Sequence, residues 1–230
     1  DLQEYSLHMH QQFYPLIRRY GYRIAYEGEE PWNNTPIFYN PETVELVDVN
    51  YVLYAPSCWS NIGSKTYTSA VFRKKDTGRL FAVVNTHLWW KSEAAQPGST
   101  YARAAQVRLM MAEAEVLKNK YGCTIFVTGD MNAYEDSLPI RQFIEGGYTP
   151  CYKAATDATD NGNGHHICGP KDGYSRTSRR RSPDREKGAI DHCFIYNAQE
   201  GVAVKVFDCI TARITVKLTD HYPYLIDAAL

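Results

Sequence analysis

Apolar residues at 7, 13, 16 and 17 (Leu7, Phe13, Leu16, Ile17) share one side of a helix over 6–20, and Gly21 follows as a stop. Short β-rich runs come next at 22–26, 36–39 and 44–54. Two longer runs, 66–73 and 79–87, flank Lys74-Lys75-Asp76-Thr77-Gly78, whose Asp and Gly predict a hairpin turn. The strongest helical period lies over 101–118. There Val107, Met110, Ala114 and Leu117 recur at steps of three and four, one buried stripe. Gly122 ends it, and Cys123-Thr124-Ile125-Phe126-Val127-Thr128 has the pattern of a fully buried strand. A short helix is predicted over 138–145, a polar loop over 153–187, and strands over 189–196, 202–218 (with a break) and 222–229. Many strands and few helices in mixed order predict an α+β chain, two packed sheets with helices outside.

Composition narrows the class. At 230 residues the chain makes one large domain or two small ones, long enough to bury a full core without staples. Charged residues at 22% and hydrophobic ones at 44% exclude wholesale disorder. No apolar run reaches the ~18 residues of a membrane span. The first residues have neither the basic nor the apolar region of a signal peptide, so the chain reads as soluble with its compartment open. A net charge of −1 advertises no global attraction for nucleic acid. None of the six cysteines has C-x-x-C spacing, which argues against a zinc knuckle or thioredoxin-like site. Cys123, Cys193 and Cys209 lie in apolar runs as small buried hydrophobes. Cys151 and Cys168 flank a polar loop, where pairing and two separate thiols are both open.

Chemistry-bearing residues gather where strands end. Asn85-Thr86-His87 closes one run, Gly129-Asp130-Met131-Asn132 another, Asp191-His192 opens a third, and Thr219-Asp220-His221 precedes the last. Glu4 stands at the start. Side chains from distant strands converge at such ends. Oxygen donors without thiolates suit Mg²⁺ or Mn²⁺, which hold phosphoryl oxygens and acidify water. An imidazole beside a carboxylate keeps a proton near neutral pH. Together these are the parts for hydrolysing a phosphate ester. Taken singly, Asp191 or Gly-Asp-x-Asn also fits a turn or cap.

Leu2-Gln3-Glu4, Asn85-Thr86-His87-Leu88, Gly129-Asp130-Met131-Asn132, Ile190-Asp191 and Asp220-His221-Tyr222-Pro223 resemble the successive motifs of the endonuclease/exonuclease/phosphatase superfamily. The resemblance spans residue 2 to about 228. It implies a single DNase I-like domain over 1–230, a four-layer α/β sandwich of two packed mixed β-sheets flanked by helices. It implies a metal-dependent hydrolase of phosphoric ester bonds using Mg²⁺ or Mn²⁺, monomeric, with a phosphate-ester substrate. A DNA or RNA nuclease is one alternative, and a non-catalytic domain binding a phosphorylated ligand is another. Glu4 would be the principal metal ligand and Asp220 would sit beside the metal. Asp130 would activate the attacking water, and Asn132 would hold it and the phosphate. His221, oriented by Asp191, would contact the scissile phosphate, with His87 as a second imidazole. Asn34 and Lys65 fall near polar family positions and count as substrate-binding. If their strands are neighbours, an Asp191 oxygen should lie within about 2.6–3.2 Å of a His221 ring nitrogen.

Two features lie outside those motifs. The family begins with an earlier strand ending in an Asn near the metal, whereas this chain starts at the second motif; the expectation is an exposed sheet edge and one ligand fewer. The segment 171–187 has seven basic residues against three acidic ones, among them Arg179 and Arg180. It reads as a phosphate clamp or as a solvated loop. Trp89 and Trp90 follow His87 directly, and Trp89 counts here as a ring for stacking on a base or lining a sugar or lipid pocket, with core packing as the competing role. Ala133 and Tyr134 after Asn132 depart from the inositol polyphosphate 5-phosphatase subgroup. Residues 85–91, with Arg103 and Gln106, resemble the deadenylase-type and bacterial branches more.

Overall fold

The computed structural model describes residues 1–28, 33–54, 65–159, 189–210, 219 and 221–230. Its centre is a six-stranded sheet. In chain order the strands are β3 (Val44–Leu53), β4 (Thr66–Lys74), β5 (Leu80–His87), β6 (Thr124–Asp130), β7 (Thr149–Pro150) and β9 (Asp191–Tyr196), laid side by side as β3-β4-β5-β6-β9-β7. Only β5 and β6 run parallel. The connection between them is α2 (Ser99–Tyr121), the crossover helix that a parallel pair needs.

The second β layer is in two pieces among the described residues. One is a ribbon of β1 (Arg23–Ile24) and β2 (Phe38–Tyr39). The other is a mixed sheet, with β10 (Ala203–Cys209) antiparallel to β11 (Tyr224–Ala229) and parallel to β8 (Asp157–Thr159). Alternation along β6 shows how the layers meet. Ile125 and Val127 face the core under α2, with Val107, Met110, Ala114 and Leu117. Phe126 faces the other way and packs with Cys193, Ile195, Val204 and Phe207 of the second layer. Ile37 packs with Ala70 and Phe72 of β4, which seats the ribbon on the same face. The two-sheet architecture with flanking helices is therefore as the pattern predicts.

The periodic helices match closely. The stripe on α2 is wholly buried, and α3 (Leu138–Glu145) has the bounds its sequence predicts. The first helix, α1 (Leu7–Arg19), differs. None of its residues is fully buried, and Leu7 and Leu16 are about half exposed. Its contact is aromatic instead: Phe13 and Tyr14, together with Tyr5 just before the helix, pack their rings against Phe38 of β2. The stretch expected as a loop over 153–187 begins with the end of α4 (Cys151–Ala154) and with β8, and its residues from 160 on lie outside the described residues. Among the described residues no helix is long and apolar enough to cross a membrane.

One glycine is fixed by contact. Gly129 sits opposite Thr86 in the parallel pair, at φ +139°, and a Cβ there would lie 2.0 Å from the Thr86 carbonyl oxygen. That close approach sets the distance between the two strand ends that carry His87 and Asp130.

Candidate active site

Three strand ends define the site. His87 closes β5, Asp130 closes β6 and Asp191 opens antiparallel β9. Their backbones are in register, His87 opposite Asp130 and Asp130 opposite Asp191, so the three side chains share one end of the sheet. His221, just before β11, reaches over from the second layer. Its Nδ1 donates to Asp191 Oδ2 at 2.7 Å, inside the range expected from sequence. Ligand-type atoms of Asp130, Asp191 and His221 all lie within 4.8 Å of one another.

The turn after β6 holds Asn132 against this group. Its backbone N–H donates to Asp130 Oδ1 at 2.9 Å and its side-chain amide to the Leu88 carbonyl at 3.2 Å. Leu88 N–H donates to the Asp130 carbonyl and Met131 N–H to the Ile190 carbonyl, which lashes the three loops together.

Burial gives the site its electrostatics. Asp130 is 7% exposed, and burial, with the nearby Asp191 carboxylate second, pushes its pKa up to about 7. Lys65 is buried too, and desolvation lowers its pKa to about 8, while Asp130 and then Glu4 pull the other way. The Lys65 ammonium donates to His87 Nε2 at 2.6 Å. Burial first, then Lys65 and His221, hold the His87 ring well below its ordinary pKa, so it stays neutral at pH 7. Lys65 at Nε2 fixes the tautomer with hydrogen on Nδ1, an atom without a partner among the described residues. His87 Nε2 is also 3.5 Å from Asp130 Oδ2.

Glu4 and Asn34 come to the same end by a different route. Asn85, in the middle of the buried end of β5, donates to the Leu2 carbonyl at 2.8 Å and to the Pro36 carbonyl at 3.3 Å. Its oxygen accepts from Gln3 Nε2 at 2.7 Å. Tyr5 N–H then donates to the Asn34 carbonyl at 3.1 Å. This lacing pins the chain on both sides of Glu4, whose side chain is exposed and whose charge acts on Lys65. Glu4 has φ 55° and Asn132 φ 47°, two of the three described non-glycine residues with positive φ. Left-handed backbone in a glutamate is uncommon, and such strain concentrates at functional sites. The bracing role of Asn85 and Gln3 was not read from the sequence, where the only signal is an asparagine inside a β-branched strand.

Other expected residues fall differently. Trp89 is 3% exposed; its backbone N–H donates to Gln106 Oε1 and its indole N–H to Ser99 Oγ. It packs in the core rather than offering a ring to a substrate, because the chain turns inward after β5. Trp90, beside it, is 57% exposed. Asp220, Arg179 and Arg180 lie outside the described residues, as does the rest of 171–187. Cys168 lies outside them too; Cys151 has its sulfur 3.0 Å from that of Cys193. A groove of about 290 Å³ borders Asp191 and His221 and gives the pair an open side.

No family model matches the chain, and no curated protein matches it in sequence. Solved structures do match in fold. An endonuclease/exonuclease/phosphatase from Bacteroides vulgatus is 23% identical, with a TM-score of 0.69 over 96% of this chain and 81% of that one. A mannosyl-6-phosphatase from Bacteroides thetaiotaomicron is 18% identical, with a TM-score of 0.67 over 91% of this chain and 78% of its own. The human Nocturnin catalytic domain, solved with bound sulfate, is 19% identical, with a TM-score of 0.67 over 96% and 77%. The fold is thus the DNase I-like fold of endonuclease/exonuclease/phosphatase proteins, and these neighbours include a phosphatase.

Proposed function

We propose that this protein is a divalent-metal-dependent phosphoesterase that hydrolyses a phosphate mono- or diester with an activated water. The observation that carries the reading is the Asp191–His221 hydrogen bond of 2.7 Å, set beside buried Asp130 at the meeting of three strand ends. A structural turn or cap does not call for two carboxylates and an imidazole from three distant segments with their polar atoms within 4.8 Å.

The donor set fits a hard cation. Asp130 and Asp191 are buried carboxylates held close together, an arrangement that repels itself unless a proton or a cation stands between them. No cysteine is among the donors, which disfavours zinc. Glu4 would hold the metal from its strained, braced position, with Asp220 as a second ligand expected from the motif. Bound Mg²⁺ or Mn²⁺ supplies charge that stabilises phosphoryl oxygens and acidifies water.

The remaining steps belong to the chain. Asp130 takes a proton from the attacking water, and its raised affinity for protons suits that task near neutral pH. Asn132, locked by its own backbone bond to Asp130, orients that water and one phosphate oxygen. Asp191 accepts from His221 Nδ1, which leaves Nε2 as the ring atom to meet the phosphate and supports the charge that develops there. Lys65, with His87 behind it, adds a positive charge beneath the same phosphate. Asn34, whose carbonyl accepts from the Tyr5 N–H next to Glu4, would contact the substrate as its motif position implies.

The test is a substrate panel: bis-p-nitrophenyl phosphate, single-stranded DNA, RNA and sphingomyelin, each with Mg²⁺, Mn²⁺ or EDTA. Hydrolysis of at least one substrate with metal and of none in EDTA is expected. Tight phosphate binding with no turnover of any substrate would instead favour a phospholigand-binding domain.

A further inference from the structure

We propose that Trp90 and Lys91 form a ring-stacking subsite that selects phosphoesters carrying a nucleobase. The inference rests on the phosphoesterase reading. Trp90 follows His87 by three residues, so its Cα lies within about 10 Å of that of His87. Most exposed tryptophans need no explanation, but this one is held on a built frame. Buried Arg103 donates through Nη1 to the Trp89 carbonyl at 3.2 Å and to the Lys91 carbonyl at 2.7 Å, one on each side of Trp90. The Trp89 backbone and indole N–H groups are anchored as well. Lys91 Nζ sits 5.7 Å from the Trp90 ring centroid and 5.9 Å from that of Trp89.

The backbone around Trp90 is therefore set before any ligand arrives, which lowers the entropy cost of stacking on it. Its ring is more than half open to solvent. On the adjoining loop Tyr134, two residues beyond Asn132, is 49% exposed, so a second aromatic stands on the other loop of the site. A flat ring for the indole and an ammonium for a neighbouring phosphate together describe a nucleotide better than an alkyl phosphate.

The test compares two esters with one leaving group, thymidine 5′-(p-nitrophenyl phosphate) and methyl p-nitrophenyl phosphate. Trp90→Ala should lower the ratio of kcat/KM values, thymidine over methyl, by about 5- to 150-fold, and Trp90→Phe should keep most of it. Equal losses on both esters, or no loss, would overturn the subsite. Binding of oligothymidylate in EDTA, followed by intrinsic fluorescence, reads the same contact without catalysis. Weaker binding by Trp90→Ala is expected there even if both esters prove inert, a result that would count against the phosphoesterase reading alone. Equal binding by variant and wild type would count against the subsite.

A separate observation concerns sulfur. We infer that Cys151 and Cys193 form a disulfide under oxidising conditions. Their sulfurs are 3.0 Å apart, about 1 Å beyond a bonded S–S distance, and both residues are buried in the core between the two β layers. The thiols lose two protons and two electrons to a small disulfide such as oxidised glutathione, which leaves as two thiols while one S–S bond forms. The bond would close a loop across 42 positions, tying α4 to the strand that begins with Asp191. Peptide mapping after treatment with oxidised glutathione should recover the 151–193 cross-link, and dithiothreitol should lower Tm by about 10 °C. In Cys151→Ala or Cys193→Ala, Tm should no longer respond to the reductant. Separate alkylation of both cysteines in oxidised wild type would overturn the inference.

Discussion

Asp191 and His221 stand 30 residues apart in the chain, yet the His221 Nδ1–H donates to Asp191 Oδ2 at 2.7 Å. The bond joins the first strand residue of β9, in the central sheet, to a residue just before β11, in the second layer. Two layers must pack correctly before this pair exists, so it reports on tertiary structure as well as on chemistry.

That pair supports the first prediction. Asp191→Asn should keep the fold, since shape and strand register are unchanged, and cut kcat by roughly 100- to 10,000-fold. His221→Ala should do much the same. The double variant should lose little more than either single one, because the two side chains act as a unit. Steady-state rates for the three variants check this, and losses that multiply would show that they work separately.

Metal removal is the second. EDTA should abolish turnover, and Mg²⁺ or Mn²⁺ should restore it. The Tm should move by only a few degrees, because the four apolar clusters among the described residues contain none of the donor residues. Thermal unfolding with and without EDTA, run beside the activity assay, separates loss of catalysis from loss of fold.

The third prediction is a pH dependence of the metal-free protein. Burial first, and Lys65 next, hold folded His87 well below the ordinary imidazole value of 6.5. For a group whose folded pKa is depressed, the stabilising contribution is present above the unfolded pKa and is lost as pH falls through the folded one. Asp130, raised to about 7, acts with the opposite sign, its contribution being lost as pH rises from about 4 to 7. A difference measurement isolates the histidine. In EDTA, His87→Gln should lose less stability than wild type as pH falls below 6.5, as read from urea midpoints. An equal loss in the two proteins would show that His87 is not held neutral.

The positions of the candidate site residues were legible in sequence where one strand supplies both the pattern and the chemistry. The apolar run before Asp130 places it at a strand end, and the stripe of Val107, Met110, Ala114 and Leu117 places the helix that makes β5 and β6 parallel. Adjacent aromatics were not legible. Trp89 and Trp90 have the same side chain, and which one is buried depends on Gln106, Ser99 and Arg103, which only the folded crossover brings near. The face of α1 was also set from outside, because Phe38 supplies the surface for Phe13 and Tyr14. Cys151 meets Cys193 through the packing of α4 on β9, which no spacing encodes.

Asn85 gives the last prediction. Its two amide hydrogens go to carbonyls of two separate segments, Leu2 and Pro36, and its oxygen takes the Gln3 amide. Asn85→Asp keeps the shape but replaces the donor with a charged acceptor facing two carbonyl oxygens. The segment around Glu4 should then loosen, since it loses its tie at Leu2 and its partner segment loses one at Pro36. If Glu4 holds the metal, this change acts as an outer-shell substitution, which typically weakens metal affinity by about 10- to 100-fold. The Mg²⁺ concentration for half-maximal activity should rise by that factor. At saturating Mg²⁺ much of kcat should return, because Asp130, Asn132, Asp191 and His221 hang from other bonds. A metal titration of activity in the variant gives both numbers. A kcat that stays low at any Mg²⁺ concentration, with the midpoint unmoved, would place the role of Asn85 in the sheet and not at Glu4.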